Sequence, residues 1–355
     1  MSTPPSTRGN FLLHVHPDRV RARTLAATTT LGLGVVSMAL LAVLLITGVV
    51  LMFWYVPQPG AAYDRMIDLS GGAVPLGGLV RDLHRLASDA LVVVAVLHMA
   101  RVYLTGALDR PRRINWLVGV GLLLLVVATA FTGYLLPWDR EAYWAATVGG
   151  ELIGLLPGAG AWMRDLLWGA DRVGEDTLLR AFALHVAALP LLGALLMGYH
   201  LWRIRRAGGL ARPRLEPSDG TEDLVPARPD ATSRELALAL ATVAVLLVAA
   251  MAWDAPLGLP GDPPRAIDPA KAPWFLLWVQ ELVSYSARVG GALPLVLVVL
   301  LAVAPWLEKR HDLAGRWFPA GRRGRCALFL AVLTAIVALT VVADVLRGPG
   351  WRIEW

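Results

Sequence analysis

Seven histidines are spread over 355 residues, and four of them stand inside long apolar stretches: His84 and His98, fourteen apart, and His185 and His200, fifteen apart. On an α-helix a fourteen-residue step is about four turns and about 21 Å, and it returns to nearly the same face. Two helices running the same way across a bilayer therefore bring His84 level with His185, and His98 level with His200. A lone histidine in a membrane helix is often a hydrogen-bonded packing residue. Two matched pairs at matching depths are hard to reach by packing alone. Paired imidazoles at two levels can hold two haem irons, each through two axial nitrogens, stacked along the membrane normal. Zinc is the poorer occupant, because each pair lacks a Cys or a partnered carboxylate.

The glycines repeat the spacing. Gly34 and Gly48 lie fourteen apart on one apolar stretch, and Gly119 and Gly133 fourteen apart on another. A flat macrocycle needs small residues where neighbouring helices meet its edge, although small residues also recur at ordinary membrane helix contacts. Arg81, Arg85 and Arg101 flank the histidines and can pair with haem propionates; plain interfacial snorkelling is the competing reading. Asp89 sits five residues after His84. An acid there is costly unless partnered, so it is a functional candidate, with hydrogen bonding to a neighbouring helix or arginine the favoured role. His14, His16 and His311 fall in polar segments and read as solvated.

The elements that must position these residues are seven apolar spans, roughly Thr28–Val56, Leu83–Tyr103, Trp116–Pro137, Leu178–Trp202, Glu235–Trp253, Val289–Trp306 and Cys326–Leu346. A bilayer crossing needs about 20 such residues, and Trp54, Trp116, Trp138, Trp202, Trp253 and Trp306 cluster at the ends as interfacial aromatics do. Hydrophobic residues make up 56% of the chain and charged ones 17%, which excludes soluble-enzyme readings. The fold expected is all-α and integral to the membrane, with a four-helix bundle followed by a three-helix part. The divisions are a cytoplasmic N-terminal segment (1–27), the bundle (28–203), a Pro- and Arg-rich cytoplasmic linker (204–234) and the C-terminal part (235–355).

The net charge of +6 could suggest a nucleic-acid partner, but its placement argues otherwise. The N-terminal segment and every second loop carry 21 of the 33 Lys and Arg, and the opposite set carries 9. By the positive-inside bias the N-terminus is cytoplasmic and the C-terminus outside. No nucleic acid is implied. The acidic outer face would suit a basic partner such as a soluble cytochrome. The single cysteine, Cys326, rules out an internal disulfide, a four-thiolate iron–sulfur cluster and a CxxCH haem attachment within this chain.

Three segments, "RDLHRLASDALVVVAVLHMARVYLTGAL", "TGYLLPWDREAYWA" and "TLLRAFALHVAALPLLGALLMGYH", resemble the cytochrome b subunit of quinol-oxidising cytochrome bc and bf complexes. The resemblance covers most of residues 20–210. The fifteen-residue step from His185 to His200 is similar to the chloroplast and Gram-positive branch, here with its usual two parts fused and without the family's eighth helix. The resemblance implies two non-covalent haem b groups, a quinol site near the outer face and electron transfer to a quinone near the inner face. Proton translocation, a Rieske iron–sulfur protein and a c-type cytochrome as partners, a dimeric complex and a bacterial inner membrane come with it.

It places the quinol site between Gly133, Tyr134, Pro137 and Trp138 on one side and Pro273, Trp274 and Phe275 on the other. The family carries Pro-Glu-Trp-Tyr at the second place, and its Glu is thought to accept a quinol proton. This chain has no Glu there. Glu281, seven residues after Trp274, is the candidate replacement, with a dipole-stabilised helix-start acid the competing reading. The position of the family branch's thioether Cys corresponds to Gly32, so no covalent haem is expected. Two other functions stay open: a haem-b membrane anchor of a quinone-reducing hydrogenase or dehydrogenase, and a non-redox transporter or scaffold.

Overall fold

A computed structural model describes residues 19–21, 30–108, 111–154, 156, 158–169, 173–207, 209, 224–261, 267–307 and 315–354. His14, His16 and His311, most of the N-terminal segment and about half of the 204–234 linker lie outside the described residues.

Among the described residues, seven helices are long and apolar enough to cross a membrane. They are α1 (Leu33–Met52), α3 (Gly77–Leu104), α4 (Arg113–Leu135), α7 (Glu175–Arg206), α8 (Thr232–Ala252), α10 (Ala287–Trp306) and α11 (Ala320–Leu346). Each overlaps one of the seven apolar spans. Among the described residues, four shorter helices lie in the connections, and the hydropathy pattern did not announce these: α2 (Pro59–Ser70), α5 (Arg140–Gly154), α6 (Gly160–Trp168) and α9 (Leu277–Tyr285). All four lie in connections at the His84 end of the bundle. At the His98 end a two-stranded antiparallel ribbon pairs β1 (Arg19–Arg21) with β2 (Leu224–Pro226), a small departure from an all-α chain.

The spans carry apolar residues all round, so many large side chains, such as Leu45, Ile46, Leu191 and Leu195, are exposed on their outer faces. That surface suits lipid rather than water. Inside, Leu40 and Val43 of α1, Ala87 and Leu91 of α3 and Leu246 of α8 form one buried cluster, so the fifth span packs directly against the first two.

Polar ties hold the ends. Arg81 donates to the carbonyls of Ala255 (2.7 Å) and Pro256 (2.6 Å) and to Ser70 Oγ, while Asp82 accepts from the Ala255 N–H at 2.7 Å. At the other end Trp116 Nε1 donates to Leu301 O, and Arg322 donates to Tyr103 O. These bonds satisfy backbone groups that would otherwise be unmatched in an apolar setting.

Candidate functional site

A cavity of about 2830 Å³ runs along the bundle and is lined by all four span histidines. His84 and His98 project from α3, His185 and His200 from α7. The His84 and His185 rings stand 6.1 Å apart between centroids, and the His98 and His200 rings 6.5 Å apart. An imidazole nitrogen lies about 1.1 Å from its ring centroid and binds a first-row metal at about 2 Å, so two rings on opposite faces of one ion stand about 6.3 Å apart. Both pairs have the spacing of a two-imidazole iron site. Among the described residues no cluster of three or more His, Cys, Asp or Glu offers a rival metal set.

The fifteen-residue step in α7 reaches the same face because the helix widens. Leu184–Ala188 forms a π turn around His185, which takes up one extra residue. Pro190 follows at once, and its missing N–H leaves the ordinary ladder open at that turn.

The next shell orients the rings. Thr47 Oγ1 donates to Val43 O at 2.7 Å and lies 2.8 Å from His84 Nδ1, so the imidazole must be the donor in that second bond. His185 Nδ1 donates to Thr129 O at 2.9 Å, with Thr132 Oγ1 at 3.4 Å. In both cases the hydrogen-bonded Nδ1 leaves Nε2 for an iron. Thr47, Thr129 and Thr132 escaped the sequence reading. Their signal was present: each threonine lies one to four residues from Gly48 or Gly133.

Each predicted glycine faces one ring. A Cβ added at Gly34 would lie 3.9 Å from His98 Cε1, at Gly48 3.3 Å from His84 Cε1, at Gly119 3.7 Å from His200 Cε1, and at Gly133 2.5 Å from His185 Cε1. The matching spacings on α1 and α4 therefore follow those of the histidines they back.

Arg81, Arg85 and Arg101 all line the cavity. Arg81 is committed to the Ala255 and Pro256 carbonyls. Arg85 Nε pairs with Asp89 Oδ2 at 3.0 Å, and its guanidinium lies over the Tyr134 ring at 5.5 Å. Tyr134, Pro137, Gly133 and Phe275 also line the cavity at the His84 end. Trp138 is buried in the turn after α4. Pro273 starts the short turn Trp274–Leu276, accepting from Leu276 N, and Trp274 Nε1 donates to Asp89 Oδ1 at 2.8 Å. The end of α4, the first half of α3 and the turn before α9 thus meet at one place.

Glu281 is not part of that meeting. Its carboxylate is fully buried away from the cavity and accepts from Arg347 Nε (3.1 and 3.2 Å), Tyr285 Oη (2.8 Å) and Trp351 Nε1 (3.0 Å). Burial pushes its carboxyl up, but the bonds from Arg347, Tyr285 and Trp351 and the Arg347 charge outweigh this and hold it below the ordinary value. It fastens the chain after α11 onto α9. Glu141, on α5, also lines the cavity, and burial pushes its carboxyl up.

A family model described as Cytochrome b(N-terminal)/b6/petB matches residues 89–260. Cytochrome b6 of Heliobacterium mobile is 39% identical over 163 residues, which are 46% of this chain and 76% of that protein. Cytochrome b6 of Prochlorococcus marinus is 37% identical over 176 residues, 50% of this chain and 80% of that protein. A chain of a hyperthermophilic respiratory Complex III superposes with a TM-score of 0.78 at 26% identity, over 91% of this chain and 88% of that one.

Proposed function

Because the chain belongs to the cytochrome b/b6 family, we propose that it oxidises quinol at the His84 end and moves electrons along the bundle to a quinone at the His98 end. The single observation that carries this is the pair of histidine pairs, each at the separation of a two-imidazole iron site. His84 and His185 hold one haem b, and His98 and His200 the other. When bound, the two haems supply one-electron transfer between the ends of the bundle.

The protein's own work is to hold and orient. Thr47 and Thr129 fix the ring planes of His84 and His185, and Gly34, Gly48, Gly119 and Gly133 leave room beside the rings. Arg101 and the half-exposed edge of Arg85 offer positive charge for propionates. Tyr134, Pro273, Trp274 and Phe275 frame the quinol pocket, whose apolar walls exclude water. The charge bias of the loops supports placing the His84 end outside a bacterial inner membrane and the N-terminus in the cytoplasm. One cysteine cannot build an iron–sulfur centre, so a Rieske-type protein and a c-type cytochrome are the partners, in a dimeric complex.

The test is a dithionite-reduced minus oxidised spectrum with potentiometric titration of the purified complex. His84→Ala should delete one b-type component and His200→Ala the other, each sparing its companion. Retention of both components in either variant overturns the ligand assignment.

A further inference from the structure

Among the described residues, four acidic side chains line the cavity: Asp89, Asp139, Glu141 and Glu235. Glu235 starts α8, at the far end. Asp139 is consumed by backbone, accepting from Ala142 N on Oδ1 and from Gly258 N on Oδ2. Asp89 differs. It stands within a membrane span, its side chain is 30% exposed to the cavity, and each oxygen carries one bond, from Trp274 Nε1 and from Arg85 Nε. A carboxylate has about four lone-pair sites, so acceptor capacity remains on both oxygens.

Resting on the proposed function, we infer that Asp89 is the base that takes a proton from quinol in the pocket framed by Tyr134, Trp274 and Phe275. Quinol loses two electrons and two protons in becoming quinone. One O–H bond breaks with its proton passing to Asp89, which becomes a carboxylic acid. The other hydroxyl proton leaves toward the partner. Of the two electrons, one would be accepted by an iron–sulfur centre of the partner and the other by the haem that His84 and His185 would hold. Asp89 then returns its proton to water at the His84 end.

The surroundings suit the role. Arg85 holds Oδ2 at 3.0 Å, which fixes the carboxylate beside the pocket, and quinol that has lost an electron is a strong enough acid to give its proton to a carboxylate held there. Trp274 fixes one oxygen, and Phe275, the next residue of the same turn, lines the cavity, so substrate and base are positioned by one turn. Among the described residues, the charged and ionisable groups that line the cavity at this end besides Asp89 are Arg81, His84 and Arg85 on α3, Tyr134 on α4, His185 on α7, Tyr55 just after α1, and Asp139 and Glu141 on the adjoining wall. The α1 span has no ionisable side chain, and those of α8, Arg234 and Glu235, lie at its other end.

Asp89→Asn is near-isosteric and its Oδ1 still accepts from Trp274, so it removes the base and keeps that tie while giving up the bond from Arg85. In the purified complex, oxidation of decylubiquinol and menadiol is followed against pH, with infrared difference spectra on quinol addition. For Asp89→Asn, both b-type components and KM stay at wild-type values, kcat falls at least tenfold and the acid limb of the pH profile disappears. The carboxylic C=O band seen in wild type also disappears. Asp89→Glu restores the limb, and Glu141→Gln leaves it unchanged. An Asp89→Asn variant with wild-type kcat and an intact acid limb overturns the inference, as does loss of the limb in Glu141→Gln instead. Wild-type complex that oxidises neither quinol, while both components respond to dithionite, overturns the quinol-oxidation reading itself; that outcome shows without any variant.

Discussion

Gly133→Ala is the sharpest probe of the ring pairs. Its Cβ would sit 2.5 Å from His185 Cε1, 3.0 Å from Nδ1 and 3.2 Å from Nε2. Carbon contacts settle at about 3.5–4.0 Å, so the ring must retreat by about 1 Å. The bond from His185 Nδ1 to Thr129 O opposes that retreat. Inserting a methyl into a filled space costs about 1–3 kcal/mol, equivalent to about 5- to 150-fold in occupancy of the original ring position at 1.4 kcal/mol per tenfold. A metal–nitrogen bond of about 2 Å does not stretch by half its length. Gly133→Ala should therefore lose the b-type component of His84 and His185 and keep the other. The same substitution at Gly34 and Gly119, where the added carbon meets its ring at 3.9 and 3.7 Å, should leave both components in place. Gly48→Ala, at 3.3 Å, should fall between. The assay is a visible-spectrum redox titration of the purified proteins. Identical two-component titrations from Gly133→Ala and Gly34→Ala refute the reasoning.

Two further outcomes follow from single bonds. Thr47→Val removes the acceptor for His84 Nδ1–H, makes the ring less electron-rich and disfavours ferric iron, so the midpoint of that component should rise; a net bond of about 0.5–1.5 kcal/mol corresponds to about 20–65 mV for one electron. An unchanged or lowered midpoint contradicts the assigned donor. Glu281→Ala takes the shared acceptor from Arg347, Tyr285 and Trp351, a loss of about 1–3 kcal/mol, read as faster proteolysis of residues 347–354. The Glu281 carboxyl is held below its ordinary value, so the wild-type clasp is at full strength above about pH 4.3. It weakens as pH falls through the lowered folded value, and protease sensitivity appearing on the alkaline side instead refutes it.

Legibility differed by residue. Spans such as Leu33–Met52 and Arg113–Leu135 were plain in the sequence, because a crossing helix must be apolar along its whole length. The four connecting helices were obscured, since short amphipathic pieces gain their stability from packing rather than from pattern. His84, His98, His185 and His200 were readable as a set because depth on parallel helices depends only on residue count. Glu281 showed the limit. Spacing along the chain placed it near Trp274, but α9 turns its carboxylate toward Arg347 and Trp351 on the far side.

The sequence by itself determined the membrane class, the seven crossings and the two levels of histidines, because length, hydropathy and axial rise are local properties of a chain. The tertiary structure alone decided which acid is joined to the turn before α9, since that depends on Trp274 approaching Asp89 from a segment 185 residues away. It also decided how an odd fifteen-residue step stays in register. A π turn beside Pro190 takes up the extra residue, and that widening is seen only in the folded helix.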